Sequence, residues 1–515
     1  MTEEVDYVVI GAGIAGLVAA HLLPGTVRIV DPNPGSYKVG ESVAPELFHH
    51  PALRARLADV RALPSYTPKH GVTFISGDQA AHFPISTDEE PGAMHVARHE
   101  LEQMLMSRWK PALVREAVVR VDVEAGTVET ATQRLRARQL VVDASGPAMV
   151  VAQQLGEVES LGAISATWRY FDVVARDDDA MLSTLQARGV QLRRYDARRK
   201  QLLSPETWAK WRPGHNTILE QLGPGRWCWQ IPLHGGTRLS LGIVTREAEP
   251  CGDEEFDALV AAHTAPCFRL AAGEQPPPYD VRRGRRAFAR RAQRAAGPGF
   301  ALLGDAFAFA DPVYSVGTAI AVNQAVALAE AIRESGWSAA TAATFDARGQ
   351  ALLRRCRQAF DFWYSGELLA DDTAASEVHE GFLHGRAFHA TITHTYGDAL
   401  ESASLRAGAH RDVVQVPGSR ALDLGDLPRP PGWRSLSGHA CTDGVRTSWA
   451  HDDGAIVQVY CLHDPDRRIQ AYARDADVLW YYEGAADEGV PITSLMDPLC
   501  AAPAAWRRLL AAASG

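Results

Sequence analysis

The chain opens on the pattern of a buried strand. Asp6-Tyr-Val-Val-Ile10 is almost wholly apolar, rich in β-branched residues and too short for a helix. Ala15–Leu23 then has helical composition, and Val27-Arg-Ile-Val30 returns to strand character. Strand, helix and strand within thirty residues predict a compact βαβ unit. Further on, Val118–Val123, Leu140–Asp143, Ile164–Val173, Trp227–Pro232 and Leu239–Val244 read as strands of a sheet-rich layer. In Trp227-Cys-Trp229-Gln-Ile231-Pro232 the bulky residues fall on every second position, so one apolar face and a half-buried strand are expected. Phe300-Ala-Leu-Leu-Gly304-Asp305 predicts a strand ending in a turn, and Thr318–Ile332 is Ala-rich and helical. Helical character resumes over Thr341–Ala370. Pro417, Pro428, Pro430 and Pro431 then mark a linker or irregular stretch. Residues 433–485 look β-rich, with Ala455–Leu462 as a strand, and Ala501–Ala511 reads as a closing helix.

Length and composition narrow the class. A chain of 515 residues exceeds one small core, so two or three domains or subdomains are expected. With 46% hydrophobic and 22% charged residues it fits a soluble globular protein, and a net charge of −10 argues against a nucleic-acid binder. No apolar run approaches the roughly 20 residues of a membrane helix. The start, MTEEVDYVVIGAG, is acidic and enters a strand at once, unlike a signal peptide, so a cytoplasmic location is expected. Seven scattered cysteines without CxxC spacing argue against a disulfide framework and a structural zinc site, and no metal is expected. Arginines 282, 283, 285, 286, 290, 291 and 294 form a basic cluster. It reads as a solvated face, with a surface for an acidic carrier protein as the alternative.

The first chemistry lies in the βαβ turn. Gly11, Gly13 and Gly16 form GxGxxG between a strand and a helix that opens with Ile14-Ala15. Such glycines allow a tight turn and let the backbone approach a pyrophosphate at the helix N-terminus. Asp31 ends the next strand, where an acid would take ribose hydroxyls. A second anion-friendly backbone site is expected after Gly304-Asp305, where Asp311-Pro312-Val-Tyr314-Ser315-Val-Gly317 leads into a helix.

Together these pieces resemble flavin monooxygenases of the aromatic-hydroxylase fold, and within them the flavin-dependent halogenases. The resemblance covers roughly residues 5–335. Trp227–Pro232 matches the WxWxIP signature, and Gly40-Glu41-Ser42-Val-Ala-Pro45 matches a loop near the isoalloxazine. Arg98-His-Glu-Leu-Glu-Gln-Met-Leu resembles the helix that contacts the flavin, and Asp143-Ala-Ser-Gly146 a strand-end motif. Gly304-Asp305 and Asp311-Pro312 resemble the second FAD motif. The resemblance implies an α/β fold with a Rossmann-like FAD domain over residues 1–335. A sheet-rich substrate layer would be interleaved at about 65–100 and 160–290. A helical, then β-rich C-terminal region, 336–515, would follow as a lid by analogy. Implied FAD contacts are Gly11, Gly13, Ile14, Ala15, Gly16, Asp31, Glu41, Ser42, Arg98, Gly304, Asp305, Pro312, Gly317 and Thr318.

The resemblance assigns the chemistry to Lys69. Lys69-His-Gly71-Val-Thr-Phe74 fits the string that carries the tunnel lysine of halogenases. There, reduced flavin and oxygen oxidise halide to hypohalous acid, and the ammonium holds that species by a hydrogen bond or becomes a haloamine. Halide would sit against backbone N–H groups of Val316 and Gly317, with Trp227, Trp229 and Tyr314 around the substrate. Tryptophan halogenases have a glutamate where Tyr314 stands, so a phenol- or pyrrole-type substrate, free or carrier-tethered, is expected. No second GxGxxG follows a strand, which implies reduced FAD from a separate flavin reductase. Two further readings remain open. One is a halogenase-like hydroxylase or oxidase, including the maturation of a peptide-derived quinone cofactor in a partner protein, with Cys441 as a thiol relay. The other is a binding module without catalysis, against which Lys69 and the glycine loops speak.

Overall fold

The computed structural model describes residues 2–364 apart from 49, 85–92, 190, 197–200, 203–211, 272–276 and 281, and six strands between residues 414 and 485. The chain divides into compact units Met1–Ala370 and Asp371–Gly515.

The first unit is built on two sheets. In the first, Phe300–Leu302, Arg134–Asp143, Thr2–Ile10, Val27–Val30 and Leu113–Val114 lie side by side and parallel. Parallel strands are covered on both faces, which is why Tyr7, Val8 and Val9 are all buried. The first strand hands over to a helix, Ile14–Leu22. Gly11 makes this turn with φ +100°, and a Cβ there would collide with the backbone of Ala144 on the adjacent strand end. At Gly16 a Cβ would strike the Gly11 carbonyl, so both positions exclude a side chain.

The second sheet carries the WxWxIP segment. Arg226–Leu233 lies between Thr217–Gly223 and Arg238–Thr245, antiparallel to both. Gly71–Ser76 pairs in parallel with Thr217–Gly223. The expected half-buried strand is in fact buried from Trp227 to Leu233. Its Cys228 face packs with Ile218, Leu241 and Ile243 against Met181, Leu185, Phe256 and Val260 of helices Asp178–Ala187 and Asp253–His263. The opposite face meets aromatic residues from distant segments. The unit also holds a small antiparallel sheet, whose central strand Met94–His95 has Ser42–Val43 on one side and Thr67–Pro68 on the other.

Two helices close the unit, Gly317–Ser335 and Ala339–Tyr364. The sequence reading put residues beyond 335 in the C-terminal region. The second helix instead sends Leu353 into the core beside Phe300 and Leu302, and Asp346 accepts the Ala295 N–H.

The second unit holds a six-stranded sheet in the order Val414–Arg420, Val478–Ala485, Arg468–Asp475, Ile456–Leu462, Gly444–His451, Trp433–Cys441. Pro417, expected in a linker, lies in a strand. That strand is at the sheet edge, where a missing N–H is tolerated, and its register breaks between Val416 and Ser419. Residues 428–431 and 501–511 lie outside the described residues, as do the side chains of His439, Cys441 and Trp480–Tyr482. Among the described residues no helix is long and apolar enough to cross a membrane, and no cluster of His, Cys, Asp or Glu could hold a metal.

Candidate active site

Lys69 is only 3% exposed, which rules out a surface lysine. It lies between the strand Thr67–Pro68 and the strand Gly71–Ser76. Its backbone N–H donates to Ala93 O at 3.1 Å, and its ammonium donates to Ser42 Oγ at 3.0 Å. The Ser42 hydroxyl lies 3.2 Å from Thr217 Oγ1, which lies 2.9 Å from His95 Nε2. All four residues are buried. Backbone register brings them together. Ser42 and Thr67 flank His95 in the small sheet, and Thr217 opens the strand that pairs with Val72.

Ser42 belongs to a loop whose other side faces Arg98. A Cβ on Gly40 would lie 3.4 Å from an Arg98 guanidinium nitrogen. Arg98 starts the helix Arg98–Trp109 and donates to Thr318 Oγ1 at 2.9 Å and Glu102 Oε1 at 3.0 Å. Thr318 is in the first turn of the helix Gly317–Ser335. Glu102 also accepts the Ile14 N–H at 3.1 Å and the Lys38 ammonium at 2.6 Å. Arg98 therefore ties the two helix N-termini to the Gly40–Ser42 loop. Asp31 accepts N–H groups of Ala12 and Asn33 at 2.7 Å each, fixing the glycine turn against the second strand. Asp143 likewise accepts from Ser145 and Val151 N–H and anchors the turn after its strand. Burial pushes the Asp305 carboxyl up, opposed by the cations Arg98 and Arg285.

Glu41 turns inward. Tyr170 OH donates to one of its oxygens and the Gly40 N–H to the other at 3.0 Å. Tyr170 meets Tyr37 at 2.7 Å, and Trp168 Nε1 donates to Tyr37 OH at 2.7 Å. Burial raises the Glu41 carboxyl above its ordinary range.

An aromatic wall stands beyond. Trp229 packs between Trp168 and Trp227, at ring separations of 6.3 and 6.1 Å. Trp227 meets Trp363 edge-on, and its Nε1 donates to Tyr364 OH at 2.9 Å. Phe74 lies against Trp363 and Tyr314, and Tyr314 stacks on Phe360. Tyr364 in turn donates to Asp311 Oδ2 at 2.7 Å. Burial lifts the Asp311 carboxyl to about 6. After Pro312 the chain turns sharply. Ser315 N–H donates to Pro312 O at 3.0 Å and Ser315 takes φ +57°, a conformation rarely held without glycine. Val316 then caps the helix without any side-chain hydrogen bond, so the first-turn N–H groups keep their anion-friendly character.

Residues 220–373 match the family model described as tryptophan halogenase. Flavin-dependent halogenase rdc2 of Metacordyceps chlamydosporia is 33% identical over 142 residues, covering 25% of this chain and 26% of that protein. Flavin-dependent halogenase gsfI of Penicillium aethiopicum is 34% identical over 117 residues, 21% of each chain. Over these segments the chain is similar to flavin-dependent halogenases. The fold agrees. Halogenase PltM superposes with a TM-score of 0.58 at 18% identity over 79% of this chain and 87% of its own. The flavin-dependent brominase Bmp2 gives 0.53 at 18% over 76% and 93%. The curated halogenases match this chain over about a quarter of their own length.

FAD is the cofactor of such halogenases, and PltM structures hold it. The residues here fit that group. Arg98 Nε is buried without a hydrogen-bond partner among the described residues, leaving a charged donor for an anion. At Gly13, a Cβ would meet only Glu102 Oε1, at 3.6 Å, so the helix N-terminus is open to close approach.

Of the motifs named from sequence, the structure brings Lys69 to Ser42, Arg98 to Thr318 and Asp31 to the glycine turn, but several participants were not visible there. His95, Thr217, Tyr37, Tyr170, Trp168, Trp363 and Tyr364 belong to no motif. The only signal at His95 was a polar residue between the apolar Met94 and Val96. The arginine cluster resolves into local pairs. Arg282, Arg286, Arg291 and Arg294 bind Asp253, Glu249, Glu159 and Glu157. Arg283 covers the Tyr37 ring at 4.1 Å, and Arg290 donates to Pro147 O.

Proposed function

We propose that this chain is an FAD-dependent halogenase that uses reduced FAD, oxygen and halide to place halogen on an electron-rich aromatic ring. The observation that carries the reading is the burial of Lys69 with its ammonium fixed on Ser42 of the Gly40–Ser42 loop. When bound, reduced FAD supplies the electrons with which oxygen turns halide into an electrophilic halogen. Arg98, the Gly11–Gly16 turn and Thr318 hold the cofactor. The first N–H groups at Val316 and Gly317 receive halide. Lys69, with three N–H donors on one positive charge, binds the oxidised halogen and presents it to the substrate. A buried cation is worth more here than in water because the surrounding dielectric is low. The wall of Trp227, Trp229, Phe74 and Tyr314 keeps water from that species.

Tyr314 supports a phenol or pyrrole rather than free tryptophan, since it offers no carboxylate to an indole N–H. The PltM complex with phloroglucinol and FAD is in keeping with this. The substrate is free or carrier-tethered, and a separate flavin reductase in the same cytoplasm supplies reduced FAD.

The test uses chemically reduced FAD, bromide or chloride, a panel of phenols, pyrroles and indoles, and mass spectrometry. Lys69→Ala removes the charged donor and should cut halogenated product by about a hundredfold or more. Lys69→Arg should also be poor, because a guanidinium cannot form a haloamine and has a different donor geometry. Halogenation by Lys69→Ala at the parent rate would overturn the role of Lys69. Oxygen consumption by the parent with no halide incorporation, but with a modified partner protein, would replace the reading with cofactor maturation.

A further inference from the structure

We propose that His95 is the positioning residue for Lys69, acting through an oriented chain of hydroxyls, Lys69–Ser42–Thr217–His95. The inference rests on the halogenase reading for its catalytic consequence, and on geometry alone for its physical content. The ammonium can only donate, so Ser42 Oγ accepts from it at 3.0 Å. Ser42 then has its own proton to give, and Thr217 Oγ1 is 3.2 Å away. Thr217 passes the direction on to His95 Nε2 at 2.9 Å. A relay that runs one way, each hydroxyl accepting from one neighbour and donating to the next, needs Nε2 to accept, which means a neutral imidazole with its proton on Nδ1.

The surroundings impose the neutral form. His95 is fully buried, and desolvation holds it well below the ordinary histidine range. The titratable groups facing it are Lys69, His70 and His215, and a positive charge on any of them opposes protonation further. The Pro232 carbonyl favours a ring proton, though no close hydrogen bond forms at Nδ1. Pro232 is the last residue of WxWxIP, so the signature strand backs the end of the chain. Protonation of His95 would turn Nε2 into a donor, so Thr217 would accept from it and turn its own proton toward Ser42. Ser42 would then accept from both Thr217 and the ammonium, and its hold on Lys69 would weaken. His95 touches neither the halogen nor the ring.

Thr217→Val is the cleanest perturbation because it keeps the shape and removes the hydroxyl. Two readouts are needed. In the protein without FAD or halide, cyanate labels Lys69 in a manner read by peptide mass spectrometry. Thr217→Val and His95→Leu should change the labelling rate at Lys69 by at least about fivefold, the equivalent of part of one charge-assisted hydrogen bond. Thr217→Ser should restore it. In the turnover assay, halogenated product per oxygen consumed should fall about tenfold to a hundredfold in Thr217→Val, while free hypohalous acid, trapped by a soluble diketone, rises. In the parent this ratio should drop on the acid side as His95 protonates, and Thr217→Val should lack that limb. Parent-like Lys69 labelling in Thr217→Val would overturn the proposal even if the parent halogenates. Altered labelling with no halogenation by the parent would keep the anchor and dismiss the halogenase reading.

Discussion

Gly242 is where the tryptophan signature meets a steric test. It sits opposite Trp229 on the neighbouring strand. The indole lies flat across it, and a Cβ on Gly242 would overlap Cζ2, Cη2 and Cε2 of that ring. Trp229 has little room to withdraw. It is 6% exposed, its Nε1 donates to Ser240 Oγ at 3.2 Å, and Trp168 and Trp227 flank it. Gly242→Ala should therefore behave as overpacking, at about 1–3 kcal/mol. At about 2.1 cal/mol/K per residue, the 370-residue first unit should lose about 1–4 °C in Tm. Trp229→Phe deletes the overlapping atoms at the cost of a cavity and the Ser240 bond. Combined, the two changes should be less harmful than their sum, with a favourable coupling of about 1–2 kcal/mol. The assay is a double-mutant cycle by denaturant and thermal melts, with near-ultraviolet circular dichroism reporting the indole environment. A Gly242→Ala protein melting with the parent, or an additive cycle, refutes the packing argument.

At Gly13 the fold has room for a methyl group but the cofactor has none. Gly13→Ala should keep the parent melting temperature, whereas Gly13→Asp, which adds a charge beside Glu102 and the pyrophosphate, should lower FAD affinity by orders of magnitude in an equilibrium titration. Asp311 gives a pH test. Its folded value of about 6 exceeds its ordinary 3.8, so the proton is held more tightly in the folded state. Its contribution to stability is therefore full below about pH 4 and is lost as pH rises through 6, by roughly 3 kcal/mol in all. Asp311→Asn cannot titrate, so the parent should lose ground to it between pH 4.5 and 7.5; a constant difference in melting across that range would refute the buried, protonated carboxyl.

The sequence by itself determined the local devices of this protein. A glycine turn between a strand and a helix is written in adjacent residues, because the sterics that demand Gly11 and Gly16 act within a few bonds and one neighbouring strand. The strand Trp227–Pro232 was equally legible, since alternation is a property of the backbone pleat. Whether a side chain is buried is not local. The Cys228 face of that strand is covered by helices that begin 50 residues before it and 25 after, so a strand that reads as half-buried is wholly inside. Tyr364, 137 residues from Trp227, completes its indole hydrogen bond. Lys69 shows the division most plainly. A short string picked it out by likeness, but only tertiary structure decided that it is buried and aimed at Ser42. That decision comes from three two-residue strands held in register, none of which has enough length for a pattern to show. Burial, ionisation and the direction of a hydroxyl chain depend on which distant groups exclude water together, and a sequence lists those groups without saying which ones meet.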